Sequence, residues 1–257
     1  MTIYQHFRDD EHPFIDQIIS WREEVEQKYA GKLTDFLHPR EQKIMKLIIG
    51  KDEEWKLDFF GGWHNAERKR AYLYPYYEEI DNAVFDAELL EATYPEKFVT
   101  ITHRDVLGAF LSAGIKRKKI GDIMIDDGKI QILVSKEITD YLLINVTSIK
   151  NANVTFESIP LNKMLPKNEA WKEFQRTCAS LRMDVFIKEI YQVSRQEASQ
   201  LIKKGLVKVN FQTVENASFI MEEDDLISVR GKGRARIKEF HGKTKKDKIR
   251  FTFEKLQ

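Results

Sequence analysis

Cysteine is nearly missing from this chain: Cys178 is the single one among 257 residues. One thiol excludes an internal disulfide framework and fits a reducing compartment. Long hydrophobic runs are missing too, since no window approaches the roughly 18–20 consecutive apolar residues of a membrane span. Residues 1–22 carry acids, a proline and no continuous apolar stretch, which speaks against a secretory or transit signal, so a soluble, cytoplasmic protein is expected. An excess of one charge sign is absent as well: 42 Lys and Arg face 41 Asp and Glu, a net of +1, beside 42% hydrophobic residues. That balance excludes a disordered polyelectrolyte. The length suits two or three units of roughly 70–100 residues, each with its own core.

The near-neutral total hides a division. Residues 181–257 hold 17 Lys and Arg against 11 Asp and Glu, a net of +6, and the remainder carries −5. A basic module on an acidic body is what phosphate recognition asks for, because affinity for a polyanion comes from neutralised phosphates and released counterions. A well-solvated tail has the same composition, so spacing must discriminate.

Apolar spacing through Phe14, Ile15, Ile18, Ile19, Val25 and Tyr29 predicts a helix ending near Gly31. Phe36, Leu37, Ile44, Leu47 and Ile48, with Pro39 in the first turn, predict a second one closed by Gly50. Short strands or an irregular turn are expected over 55–75 around Gly61 and Gly62. The next stretch reads as a strand over 83–93, a helix capped by Thr102 and Asp105, and a hairpin of 120–125 and 129–134 around Asp126-Asp127-Gly128. A helix capped by Ser135 and a strand over 154–159 follow. This β-α-β-β-α-β order is ferredoxin-like or RRM-like, although the aromatic motif an RRM uses to stack bases is not found. Residues 161–168 read as a linker and 169–179 as a connecting helix.

From Leu181 the pattern becomes specific. Arg182-Met183-Asp184 opens a helix whose Met183, Phe186, Ile190 and Val193 face a core. Ser194 and Glu197 have capping-box spacing for the next helix, in which Ala198, Leu201 and Ile202 point inward while Arg195, Ser199 and Lys203 share another face. Gly205 supplies a left-handed stop, a strand enters through Val207, Lys208, Val209 and Asn210, and another spans 226–230. Lys232, Arg234, Arg236 and Lys238 then alternate, so an extended segment projects all four from one side and Ala235 and Ile237 from the other. Together with Arg195, Lys203 and Lys204 this stripe is expected to frame one groove for a phosphate backbone. An edge strand guarded by Lys and Arg is the plainer alternative.

Arg182-x-Asp184, Ser194-Arg195-x-x-Ala198, Leu201-Ile202-x-x-Gly205-x-Val207-x-Val209-Asn210 and Asp225-x-Ile227-Ser228-Val229-Arg230-Gly231-x-Gly233-Arg234 resemble, in order and spacing, the S4 domain, an RNA-binding helix-helix-strand module. Asp224-Asp225 stands where that family has Gly-Asp. The wider chain, through Phe36-Leu37-His38-Pro39-Arg40-Glu41, Phe60-Gly61-Gly62-Trp63, Ala66-Glu67-Arg68, Thr102-His103-Arg104-Asp105 and Gly121-Asp122-Ile123, is similar to the YlmH family of bacterial S4-domain proteins. Pattern and resemblance together give an expected α+β multi-domain protein: from the pattern an N-terminal α/β domain over 1–78, a ferredoxin-like or RRM-like domain over 79–165 and a connecting helix over 166–180, and from the resemblance an S4 domain with a basic extension over 181–257. The resemblance implies a protein bound to rRNA of the large ribosomal subunit and to tRNA, acting with the nascent-chain quality-control machinery, and a weaker link to cell-division proteins; a monomer is expected. The resemblance marks Arg182 and Arg195 as residues that matter for binding, and together with the helix face, strands and stripe read from spacing the expected RNA-binding set is Arg182, Asp184, Ser194, Arg195, Ser199, Lys203, Lys204, Lys208, Asn210, Arg230, Lys232, Arg234, Arg236 and Lys238. No metal or other cofactor is called for.

S4 domains also accompany enzymes such as pseudouridine synthases. Here the Arg-x-Asp that such chemistry would need lies inside the S4 helix, where Asp184 is expected to orient Arg182 or cap the helix. His38, His64 and His103 are isolated and without a cysteine partner at ligand spacing, Gly61-Gly62 lacks the ending of a phosphate loop, and the tyrosines at 72, 74, 76 and 77 read as core and strand surface. A noncatalytic RNA-binding protein is the expectation. The alternatives are an RNA-modifying enzyme with an unrecognised active site in the first two domains and a cell-division scaffold that does not need RNA.

Overall fold

The computed structural model describes residues 3–50, 53–166 and 170–256. The chain divides into two compact units, Met1–Lys167 and Asn168–Gln257.

In the first unit, α1 (His12–Lys28), β1 (Lys32–Leu37), α2 (Pro39–Ile49), β2 (Trp55–Phe60) and β3 (Lys69–Pro75) form one half. The sheet is antiparallel in the order β1-β3-β2. Ile15, Ile18 and Val25 of α1 recur at helical spacing and bury against Ile44, Met45 and Ile49 of α2 and Ala71 and Leu73 of β3. Phe36 and Leu37 end a strand instead of beginning the second helix. Proline at 39 drives its predecessor out of the helical region, so His38 stays extended at φ −80°, ψ 165° and the helix starts at Pro39. His38 caps it: its Nδ1 accepts from the Glu41 amide at 3.2 Å, and the Glu41 carboxylate accepts from the His38 amide at 2.7 Å.

The other half contains β4 (Ala87–Thr93), α3 (His103–Ser112), β5 (Ile120–Asp126), β6 (Lys129–Ser135), α4 (Thr139–Asn145), the two-residue strands β7 (Ser148–Ile149) and β8 (Ala152–Asn153), and β9 (Glu157–Ile159). The larger sheet is antiparallel in the order β5-β6-β4-β9, which is the ferredoxin-like arrangement of two interleaved β-α-β units. The β5–β6 turn uses left-handed Asp127 and Gly128, as the Asp-Gly signal required. Three details differ from expectation. The strand placed at 83–93 is preceded by a 3-10 turn, Asn82–Phe85, because the Asp81 carboxylate accepts from the Ala83 amide at 2.8 Å. Ser135 does not cap α4: a 3-10 turn intervenes, and its buried hydroxyl finds no partner. Val154 and Phe156 enter the core ahead of the short β9.

Both faces of this sheet are packed. Leu90, Ile120, Ile123, Ile130, Ile132 and Val134 meet Val106 and Phe110 of α3 and Leu142 of α4. On the other face Leu89, Met124 and Leu133 are covered by Phe36 of β1 and by Leu161, Met164 and Leu165. The surface on which an RRM stacks bases is therefore interior here. Buried Arg70 ties the halves together by donating to the carbonyl of Thr34 and to those of Phe85 and Asp86, while buried Arg68 donates to that of Phe36 within the first half. The buried Asp122 carboxylate accepts from the amides of Glu67 and Arg68 at 2.8 and 3.0 Å. Leu161, Met164 and Leu165 of the expected linker are thus packed on this core, and its residues 167–168 lie outside the described residues.

The second unit contains β10 (Trp171–Cys178), α5 (Met183–Tyr191), α6 (Arg195–Lys203), β11 (Val207–Val209), β12 (Gln212–Thr213), β13 (Leu226–Val229), β14 (Gly233–Lys243) and β15 (Ile249–Leu256). They build a six-stranded sheet in the order β10-β15-β14-β13-β11-β12. The connecting helix expected over 166–180 is not formed: 171–178 are a strand paired with β15 along its whole length, while 167–169 lie outside the described residues. A distant strand satisfies this segment's backbone and so overrides local helix propensity. The basic extension past residue 232 is the β14–β15 hairpin of the same sheet.

His38 generates a pH-dependent stability. Burial, reinforced by the Arg68 guanidinium, pulls its pKa from 6.5 down to about 3. A depressed imidazole is neutral in the fold and protonates first in the unfolded chain, so stability falls as pH drops from about 6.5 towards about 3, by at most about 1.4 kcal/mol per pH unit. Urea titrations across this range should show that slope, and His38→Asn, which retains a capping acceptor, should flatten it.

Candidate nucleic-acid interface

Asp184, in the first turn of α5, is 3% exposed. Its carboxylate accepts from Arg182 Nε and Nη2 at 3.0 and 3.2 Å and from Arg195 Nε, the first residue of α6, at 3.1 Å. Burial alone would raise the carboxyl pKa, but the hydrogen bonds and charges of Arg182 and Arg195 outweigh it and hold it below its ordinary value. Arg182 is correspondingly raised by its bond to Asp184. The two guanidinium groups keep 35% and 62% of their side chains exposed while a buried anion fixes their direction. Such a clamp presents two oriented forks suited to bidentate phosphate contacts.

The rest of the helical surface is built around the clamp. Ser194 Oγ accepts from the Glu197 amide at 3.0 Å, starting α6. The Glu197 carboxylate does not complete the expected capping box. It pairs with Lys232 at 3.0 Å and so draws the turn between β13 and β14, which also carries exposed Arg230, to the first turn of α6. Lys203 and Lys204 are exposed at the end of α6, and Ser199 is half-buried. Gly205 adopts φ 65° and ends the helix.

The stripe on β14 lies elsewhere. Ala235 and Ile237 are fully buried among Phe186, Ile190, Ala198 and Ile202, so α5 and α6 cover the face that bears them. Arg234 and Arg236 alternate with those residues and project from the opposite face, as does Lys208 between buried Val207 and Val209. The single groove expected from the sequence is therefore two surfaces: Arg182, Arg195, Arg230 and Lys232 at the helices, and Lys208, Arg234, Arg236 and Lys238 on the outer side of the sheet.

Asn210 is a structural residue. Buried, it donates to Asp225 Oδ1 at 2.7 Å and accepts from the Leu226 amide at 3.0 Å. Asp224 holds φ 68°, the left-handed backbone that the family's glycine would take, so the departure at this position leaves the turn intact. Trp171 and Phe211 escaped the sequence reading. Arg236 lies over the Trp171 ring at 5.0 Å and Arg234 over the Phe211 ring at 5.7 Å. An aromatic residue at the centre of a two-residue hairpin turn was the available signal for Phe211.

Among the described residues, no three His, Cys, Asp or Glu side chains are grouped to hold a metal ion. His38 is committed to its cap, His64 is exposed, and burial pushes the Cys178 thiol up to about 11, away from nucleophilic chemistry.

Paired helices on a sheet, an arginine clamp and a basic turn define an S4-type RNA-binding module. Family comparison places the S4 domain at residues 181–227, the family described as "Putative RNA-binding domain in YlmH" at 81–163, and "YlmH, N-terminal" at 10–77. The chain is 42% identical over 253 residues, 98% of each protein, to the Ribosome-associated protein quality control protein P2 of Bacillus subtilis. It also resembles the solved structure of the Cell division protein ylmH from Streptococcus pneumoniae, with 31% identity and a TM-score of 0.55 over 64% of this chain and all of that one. The chain belongs to the YlmH family.

The clamp separates contact from positioning. Arg195→Ala should weaken binding of a fluorescein-labelled tRNA and lower the slope of log K against log salt by about one. Asp184→Asn keeps both arginines yet should weaken binding by about tenfold, because it releases their orientation. Equal affinity in Asp184→Asn would show that the clamp does not aim them.

Proposed function

We propose that this protein is a noncatalytic ribosome-associated quality-control factor whose helical S4 surface grips structured RNA, with large-subunit rRNA and tRNA as its partners. The observation that carries the reading is the Asp184 clamp: a buried carboxylate that spends its stabilisation on holding two exposed arginines outward. Near-complete coverage of the Bacillus subtilis relative named for ribosome-associated quality control supports the same assignment, and the resemblance noted from the sequence supports action on stalled nascent chains. No helix among the described residues is long and apolar enough to cross a membrane, consistent with work at the ribosome. The Streptococcus pneumoniae relative, named as a cell division protein, extends the proposal to a role connected with cell division.

Sucrose-gradient sedimentation of cell lysate, followed by ultraviolet crosslinking and sequencing of bound RNA, tests this. The wild-type protein should travel with large subunits and crosslink to rRNA and tRNA, and Arg182→Ala/Arg195→Ala should remain at the top. Co-sedimentation of the double variant would remove the clamp from the interface, and loss of a modified nucleoside in a deletion strain would favour an enzyme.

A further inference from the structure

We infer that the outer face of the C-terminal sheet is a second RNA surface, a track for about four unpaired nucleotides that runs along β14 into a pocket at the curled end of the β14–β15 hairpin. Most of it lies outside the 181–227 segment matched to the S4 domain. It requires that the protein bind RNA, as proposed above, but not that the clamp contact that RNA.

Three observations combine. First, the face carries aromatic rings already engaged by cations. Arg236 reaches across β15 to Trp171, and Arg234 lies against Phe211. Both rings are half-buried. Rings set beside guanidinium groups on a sheet are the elements with which proteins stack unpaired bases, and the stacking tolerates any sequence because every base has a π face. Phe211 holds φ 72°, a conformation that costs a bulky L-residue energy, next to Asn210 at φ 48°. That strain turns an aromatic ring onto this face where asparagine-glycine would make the turn more easily.

Second, the cations are continuous. Lys208, Ser228 and Arg234 are cross-strand neighbours, and Arg236 and Lys238 continue the row. Glu254 lies 4.0 Å from Arg236 and 3.5 Å from Lys238, and Glu173 sits opposite Glu254. Glu239 is 4.0 Å from His241. With Arg250 the basic side chains still outnumber these acids. From Arg234 to His241 an extended strand covers about 23 Å, which suits about four nucleotides, the lower end of single-strand site sizes.

Third, the track has an end. Register shifts at Ile237/Glu239 and Phe240/Lys243 curl the hairpin, and bulges sharpen such bending. The resulting hollow of about 420 Å³ is lined by Gln175, Arg176, Thr177, His241, Arg250 and Phe251. His241 Nε2 is bonded to Thr252 Oγ1 at 2.7 Å, and Arg250 Nε donates to the Gly242 carbonyl at 3.3 Å, so both side chains are held at the rim. Amide, hydroxyl and guanidinium groups around such a hollow match the polar edge of a flipped-out base and its phosphate.

The test uses the full chain with two fluorescein-labelled probes, a uridine decamer and a blunt 16-base-pair RNA duplex. Phe211→Gly removes the ring while relieving the backbone, and Trp171→Ala removes its counterpart. The pair should weaken decamer binding by about tenfold with duplex affinity unchanged and a cooperative melting transition retained, and Arg182→Ala/Arg195→Ala should show the reverse preference. Arg250→Gln/His241→Gln gives a second reading that spares the aromatic residues and should also weaken the decamer alone. The inference is overturned if wild type does not bind the decamer, if both outer-face variants bind it as wild type does, or if only the clamp variant loses it. Duplex affinity unchanged in the clamp variant, with the outer-face variants behaving as expected, would instead count against the proposed function.

Discussion

A carboxylate cannot be removed from water without cationic partners, and Asp184 is almost wholly removed. Its partners are the residue before α5 and the first residue of α6, so satisfying one buried charge fixes how the two helices begin relative to each other. Those helices then cover one face of the six-stranded sheet, packing Phe186, Ile190, Ala198 and Ile202 on Ala235 and Ile237. What remains outward follows from that choice: two aimed arginines on the helical side and a row of cations on the uncovered side of the sheet.

The first unit meets the same problem with the signs exchanged. Arg68 and Arg70 are buried and donate to backbone carbonyls, Arg68 to Phe36 within its own half and Arg70 to Thr34 and, towards the other half, to Phe85 and Asp86. The cost to function is definite. With Phe36 and the 161–165 segment packed on the ferredoxin-like sheet, the face that RRMs offer to bases becomes part of a core. RNA contact by this half would have to use its edges or helices, whereas the second unit keeps its recognition groups outside.

Much of the organisation was legible in the chain. The helices at 12–28, 39–49 and 103–112, the Asp127-Gly128 hairpin and the β-α-β-β-α-β order all carried local signals of period, cap and turn. The Arg182, Asp184 and Arg195 spacing was legible as a motif, though the carboxylate's grip on both arginines was not. The errors came from segments whose conformation is decided by distant partners. Residues 171–178 have a composition either state accepts, and only the β15 ladder makes them a strand. Ser135 has the chemistry of a cap and lies one 3-10 turn too early to serve as one.

The sequence by itself determined the modules, their charge division and the alternation of Arg234 and Arg236 with Ala235 and Ile237, because these depend on neighbours a few residues apart. Tertiary structure decided which side of the sheet faces the helices, that Trp171 would lie under Arg236, and that one expected groove would be two surfaces. A strand's period names its two faces without saying which will be covered. The cover comes from elements tens of residues away, and only their packing chooses.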